Sequence, residues 1–232
     1  GGLGEVGIGP VGPFHWAWND ALEPPPFDPD SARALLDAEG IRDRDGDGVR
    51  ELPDGGELTI ELKFFSVTDY ARDAAEAIRG DLADIGVAVS TRPTEPNTLF
   101  ADVTSPDRRF DAALLGWSAD FRLDLRDLFH SDAMDGPYQF AQYGNPEVDS
   151  LIDRATMETR RDRALPLWHR IQEILLEEQP WTVLYYQTDA LLARDRVRAL
   201  ETDIRGVLVN VADWWVASGE PGDDAPQENT GG

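Results

Sequence analysis

The chain has no cysteine among its 232 residues. That excludes a disulfide framework, a thiolate nucleophile and any cysteine metal cage. Lysine is almost missing as well: Lys63 is the single one, so the other 20 of the 21 basic residues are arginine. Against them stand 45 acidic residues, for a formal net charge of −24 and a pI near 4.3. A surface of that sign repels nucleic-acid phosphates and anionic lipid, so neither is expected as a partner. No apolar run approaches the roughly 20 residues that span a bilayer. The opening GGLGEVGIGPVGP has neither the basic start nor the apolar core of a secretion signal, and it reads as the beginning of a fragment whose upstream part is missing.

An apolar content of 41% and seven tryptophans point to a globular protein with a sizeable core. The first 27 residues are rich in Gly, Pro and aromatics and read as extended, irregular chain. In DPDSARALLDAEG, Asp28 caps a helix, Pro29 suits its first position, Leu35 and Leu36 face inward and Gly40 ends it. ELTIELKFF then alternates: Leu58, Ile60, Leu62 and Phe64 on one face, Thr59, Glu61 and Lys63 on the other, which predicts a half-buried strand. A helix from Thr68 follows, with Ala71, Ala74, Ala75, Ile78 and Leu82 on one stripe and Gly86 as its breaker. VAVS and FDAALLGW read as two further strands, with a short helical piece around Leu99 and Phe100 between them. Strands alternating with helices predict an α/β fold with a mainly parallel sheet flanked by helices.

Downstream, Asn145 and Pro146 open a helix in GNPEVDSLIDRA. A longer helix spans about 161–178, with Leu165, Trp168, Ile171, Ile174 and Leu175 facing inward and Pro166 marking a kink or a start. WTVLYYQ reads as another strand. The tail, 219–232, is polar and predicted to be disordered.

IRDRDGDGVREL, residues 41–52, carries the opening of an EF-hand-type calcium loop. With Asp43 at position 1, Asp45 and Asp47 fall at 3 and 5, Gly48 at the sharp turn, the Val49 carbonyl at 7, Glu51 at 9 and Asp54 at 12. Calcium takes six to eight oxygens, and alternate aspartates on a tight loop aim theirs at one centre. Asp54 is shorter than the usual Glu, Pro53 precedes it, and a strand rather than a second helix follows. A bound Ca²⁺ would therefore be a weak structural staple rather than a required cofactor; an acidic turn bent by its Asp-Gly pairs accounts for the same residues.

Catalytic constellations are scarce. His15, His130 and His169 are far apart and none lies in an HExxH arrangement. GWSAD sets Ser118 near Asp120 but is not a GxSxG elbow, and there is no Gly-rich phosphate loop. The chain is not expected to be an enzyme. In FDAALLGWSADF a strand runs into Gly116 and Trp117, then Asp120. Ligands of open α/β sheets bind beyond the carboxyl ends of the strands. There Gly116 would admit a close approach, Trp117 an apolar wall and Asp120 a charge for a cation. A core tryptophan and a solvated turn aspartate are the structural alternative.

Six stretches in order, GPFHWAWND, PFDPDSARALLDAEG, RDGDGVRELPDG, FDAALLGWSAD, YGNPEVDSLIDRA and RALPLWHRIQEILLEEQPWTVLYY, resemble the C-terminal half of family 5 extracellular solute-binding proteins. These are the oligopeptide, dipeptide and nickel receptors of ABC importers. The resemblance implies a periplasmic-binding-protein-like lobe, residues 14–187, one of two that close around a ligand by hinge motion. Residues 1–13 would cross from the missing first lobe and 188–218 return towards it. It further implies that Asp120 receives the α-ammonium group of a peptide with Trp117 beside it, in a monomeric periplasmic or cell-surface lipoprotein that delivers its solute to a membrane permease. The sequence departs where Leu125 follows Asp124, in place of an Asp-Pro pair, and where Gln139 stands at a position often held by asparagine. A calcium-stabilised structural or cell-surface domain is the alternative, and a hydrolase using acidic residues a third.

Overall fold

In chain order the elements are β1 (Gly4–Val6), α1 (Pro29–Ala38), β2 (Thr59–Phe65), α2 (Asp69–Ala83), β3 (Ala88–Thr94), α3 (Pro96–Thr104), β4 (Ala112–Leu114), α4 (Arg126–Phe129), α5 (Pro146–Met157), α6 (Arg161–Glu178), β5 (Tyr185–Gln187), β6 (Val197–Arg198) and β7 (Trp215–Val216). They come from a computed structural model that describes residues 4–118, 122–187, 191–203 and 206–217. The central sheet has the order β3-β2-β4 and is parallel throughout. Parallel neighbours need crossover connections, and α2 and α3 supply them. Phe64 pairs with Pro93 on β3, which is tolerated because β3 is an edge strand and the proline has no N–H to leave unpaired.

The helix starts follow their local chemistry. Asp28 Oδ1 accepts from the Ser31 N–H at 3.0 Å, and its carboxyl is held below the usual range first by the Ser31 hydroxyl and then by that amide. Asn145 Oδ1 accepts from the Glu147 and Val148 N–H groups at 2.9 and 3.3 Å. Each cap satisfies amides that have no partner inside the helix. Gly40 and Gly86, with φ of 74° and 85°, end the turns after α1 and α2.

Two apolar clusters hold these elements. One lies between the sheet and α2, where Leu62 and Phe64 meet Ala71 and Ala75. The other joins α4, α5 and α6 through Phe129, Ile152, Trp168 and Ile171, and takes in Val11 and Ala17 from the first stretch. Burial of that many large side chains, at roughly 1.5–3 kcal/mol each, dominates the stability of the helical side.

Several expectations are corrected. Lys63, assigned to a solvent face by alternation, is 6% exposed, because α3 covers that side of β2. Its Nζ donates to Asp102 Oδ2 at 2.9 Å and to the Arg109 carbonyl at 2.6 Å. Leu35, expected to face inward, is 70% exposed; α1 buries none of its residues. The strand at WTVLYYQ shrinks to β5 and does not join the central sheet. It pairs antiparallel with β1, inside the stretch read as irregular. One side chain anchors this pairing: the partly buried Tyr186 hydroxyl donates to the carbonyls of Gly9 and Val11 at 2.8 and 3.1 Å and accepts from the amides of Ile8 and Gly9. Helix α6 has the expected span, Arg161–Glu178, and does not start at Pro166 but runs through it, since a proline in the second turn forfeits only one hydrogen bond. The tail, 219–232, lies outside the described residues.

Candidate functional site

Because the three strands are parallel, their carboxyl ends share one edge of the sheet. At that edge β4 stops at Leu114 and the chain continues through Gly116 to Trp117. A Cβ placed on Gly116 would meet no atom within 4 Å, so the backbone there stands open. Trp117 is 49% exposed and is neither a core tryptophan nor a free one. Its ring lies edge-on to Tyr138, Phe140 and Trp181, with centroids 6.1, 6.5 and 5.9 Å away. Phe140 stacks on Trp181 at 5.7 Å and Trp181 leans on Phe129 at 4.8 Å. Phe129 is buried, so the aromatic column runs from the core outward and ends in the open face of Trp117. Edge-to-face contacts of this kind fix ring orientation. The structure thus places a half-exposed aromatic ring at the carboxyl edge, next to an open Gly116. Asp120, the third residue singled out here, lies outside the described residues.

Two of the neighbours of Trp117, Tyr138 and Phe140, come from a loop in which the sequence singled out only Gln139. Tyr138 is 37% exposed and Gln139 between the two aromatics is 0% exposed, so the three side chains alternate between outer face and interior. Tyr143 closes the loop: its hydroxyl donates to Glu178 Oε2, and Asn145 Nδ2 donates to the other oxygen of the same carboxylate at 2.9 Å. Burial, and then the Glu178 carboxylate, push the Tyr143 phenol well above its ordinary value, so it serves as a fixed donor. The signal that could have found this loop is the aromatic pair in PYQF, which is short and has no helical or strand period.

At the amino ends of β2 and β3, the opposite edge, lies the aspartate loop. One oxygen each from Asp43, Asp45 and Glu51 falls within 4.8 Å of the others. Asp47 and Asp54 are not in that group: Asp47 Oδ1 accepts from the Val49 N–H at 2.8 Å and Asp54 Oδ1 from Gly56 at 3.2 Å. Asp43 itself accepts from the amides of Gly46 and Gly48 at 2.7 and 3.0 Å. The loop is stapled from outside by arginine. Arg44 donates to the carbonyls of Leu52 and Gly40, both at 2.9 Å. Arg50 donates to Asp37 Oδ1 at 2.5 Å and to the carbonyls of Ile41 and Ile85 at 2.7 and 2.8 Å, and the Asp37 carboxyl is lowered first by that hydrogen bond. The crevice beside it, lined by Arg33, Asp37, Arg42 and Arg50, is shallow and far from Trp117 along the strands. The residues suit a hard cation in kind, with three of the five proposed carboxylates converging.

Each of the three histidines makes a backbone contact, and His130 also lies 3.8 Å from Asp132 and Asp149 and 3.6 Å from Asp153. His15 Nδ1 accepts from the Ala17 amide at 3.1 Å, His130 Nδ1 from Asp132 at 3.0 Å, and His169 Nε2 lies 3.1 Å from the Trp18 carbonyl.

Residues 1–132 match the family described as bacterial extracellular solute-binding proteins, family 5 middle. The oligopeptide-binding protein AppA of Bacillus subtilis is 28% identical over 218 residues, 93% of this chain and 40% of AppA. The oligopeptide-binding protein OppA of Mycobacterium tuberculosis is 31% identical over 152 residues, 66% of this chain and 25% of OppA. Among solved structures, AppA in complex with a nonapeptide superposes with a TM-score of 0.82, at 28% identity over 93% of this chain and 43% of that one. NikZ of Campylobacter jejuni in complex with Ni(L-His) shares the fold, with a TM-score of 0.75 at 21% identity over 91% of this chain and 43% of that one. The chain spans well under half the length of these relatives. It has the α/β fold of their periplasmic binding proteins and belongs to the family 5 bacterial extracellular solute-binding proteins.

Proposed function

We propose that the chain is the second ligand-binding lobe of an extracytoplasmic receptor for an ABC importer, and that the solute it captures is a peptide. The observation that carries this reading is the half-exposed Trp117 at the open end of the aromatic column, standing where parallel α/β sheets receive ligands. Kinship with oligopeptide-binding proteins supports the peptide class. Asp120, three residues on, would take the α-ammonium group. In a closed, water-poor cleft that ion pair is far stronger than in solvent and anchors a peptide whatever its sequence. The work is recognition and delivery to a membrane permease, with no bond broken.

The rest of the receptor lies outside the chain on this reading. Residues 1–13 and 188–218 would be the crossing segments, the first pairing with the lobe through β1 and β5, and exposed apolar side chains such as Leu192 and Trp215 would be covered by the other lobe. Mass spectrometry of the solute co-purifying with the full-length protein tests the class. A set of peptides of mixed sequence is the expected result; a nickel complex, haem or a sugar in their place overturns the peptide reading while leaving the receptor reading intact. Calcium at Asp43, Asp45 and Glu51 is a separate proposal, favoured by the convergence of those carboxylates; it would staple the junction between α1 and β2, away from the solute.

A further inference from the structure

We infer that Arg108 is a positioning residue for the ligand-binding face, a role that rests on the reading of Trp117 as part of that face. Arg108 follows α3 with a φ of 45°, a left-handed conformation that few residues bearing a side chain adopt. Its guanidinium is ringed by backbone carbonyls. Nη1 donates to Val103 and Ser105 at 3.5 and 3.2 Å, where α3 ends. Nη2 donates to Met134, Gly136 and Gln139 at 3.3, 2.7 and 3.2 Å. One cation therefore ties the end of the crossover helix to the loop that carries Tyr138 and Phe140. Those two rings flank Trp117, while Gln139 between them points into the interior.

The physical argument is one of preorganisation. Turning any of the three loop peptides would take a carbonyl away from a charge that has little water to replace it, so the loop keeps one conformation before the ligand arrives. Ordering already done in the free protein is not charged against binding. A planar fork with donors on both sides is what lets one residue hold both segments; a lysine in its place is a single point charge on a flexible stem. Arg108 bonds to the backbone of the loop rather than to its rings. It acts through Tyr138 and Phe140.

The test uses the full-length protein and, as probe, a nonapeptide selected from a random pool by capture on the unsubstituted receptor. Arg108→Gln is expected to weaken binding about tenfold, the size of a lost charged hydrogen bond, with faster amide exchange confined to 134–140. Arg108→Lys should fall between, and it serves for the same comparison if Arg108→Gln does not fold. The deciding measurement is a double-mutant cycle. In a Tyr138→Ala, Phe140→Ala background, Arg108→Gln should cost no further affinity, since the groups it positions are gone. An undiminished loss in that background, or native affinity and exchange in Arg108→Gln itself, overturns the role. Failure of the underlying reading looks different: Trp117→Ala and Tyr138→Ala would then bind the probe as well as the unsubstituted receptor does, or no nonapeptide would be captured at all, and the inference falls with it.

Discussion

The side-chain amide of Gln139 takes the place of a strand partner for Tyr143. Its oxygen accepts from the Tyr143 N–H at 2.9 Å and its nitrogen donates to the Tyr143 carbonyl, in a site without solvent exposure. Gln139 thus closes its own loop through both ends of its side-chain amide. Gln139→Ala leaves two backbone groups of Tyr143 unpaired and should destabilise the protein by about 1–3 kcal/mol, read from the urea midpoint. An unchanged midpoint rejects the loop-closing role.

Trp117 is expected to behave in the opposite way. Half of its surface is already in water, so Trp117→Ala should leave folding largely intact. In the full-length protein it should cost about tenfold or more in ligand affinity, as exposed aromatic anchors do. Asp120→Ala should abolish peptide binding with the fold retained. Undiminished affinity in either variant, by calorimetry, removes that residue from the site.

The Lys63–Asp102 pair predicts a pH signature. The Lys63 hydrogen bond is the main cause that lowers the Asp102 carboxyl. A depressed carboxylate contributes stability that is present above its unfolded value, about 3.9, and is lost as pH falls through the lower folded value. Asp102→Asn should therefore melt at a lower temperature near pH 7, and its melting temperature should fall less steeply between about pH 4 and pH 2. Parallel curves for the two proteins would contradict the assignment.

The aspartate loop offers a direct measurement. A weak site in the ~10⁻⁴–10⁻³ M range should raise the melting temperature by a few degrees at about 10 mM Ca²⁺. Asp43→Asn with Asp45→Asn should erase the shift. No calorimetric heat and no shift would leave the loop held by its own hydrogen bonds, those of Arg44 and Arg50 included.

Local signals were the legible part of this molecule. The caps at Asp28 and Asn145, the breakers Gly40 and Gly86 and the alternation of strand and helix are all short-range chemistry, and they predict α1, α5 and the parallel sheet. Gly116 and Trp117 were singled out because a strand ending in Gly-Trp is a local pattern too. What stayed hidden depends on distant partners. Alternation along β2 cannot reveal that α3 covers its second face, so Lys63 read as solvated. The β1–β5 pairing joins residues about 180 positions apart, as with Glu5 and Tyr186, across a stretch whose glycines give no strand signal. Arg108 was indistinguishable from the other arginines because a chain with 45 acidic residues offers each of them an ion pair, and its five carbonyl acceptors exist only after folding.

The burial of Lys63 has a practical consequence. No other ε-amino group exists in these 232 residues, and this one is shut between β2 and α3. An amine-reactive ester added to the folded lobe finds no lysine to acylate until that interface opens. Modification at Lys63, followed by mass, is therefore a single-site clock for separation of the helix from the sheet, in a protein that needs no engineered label to report it.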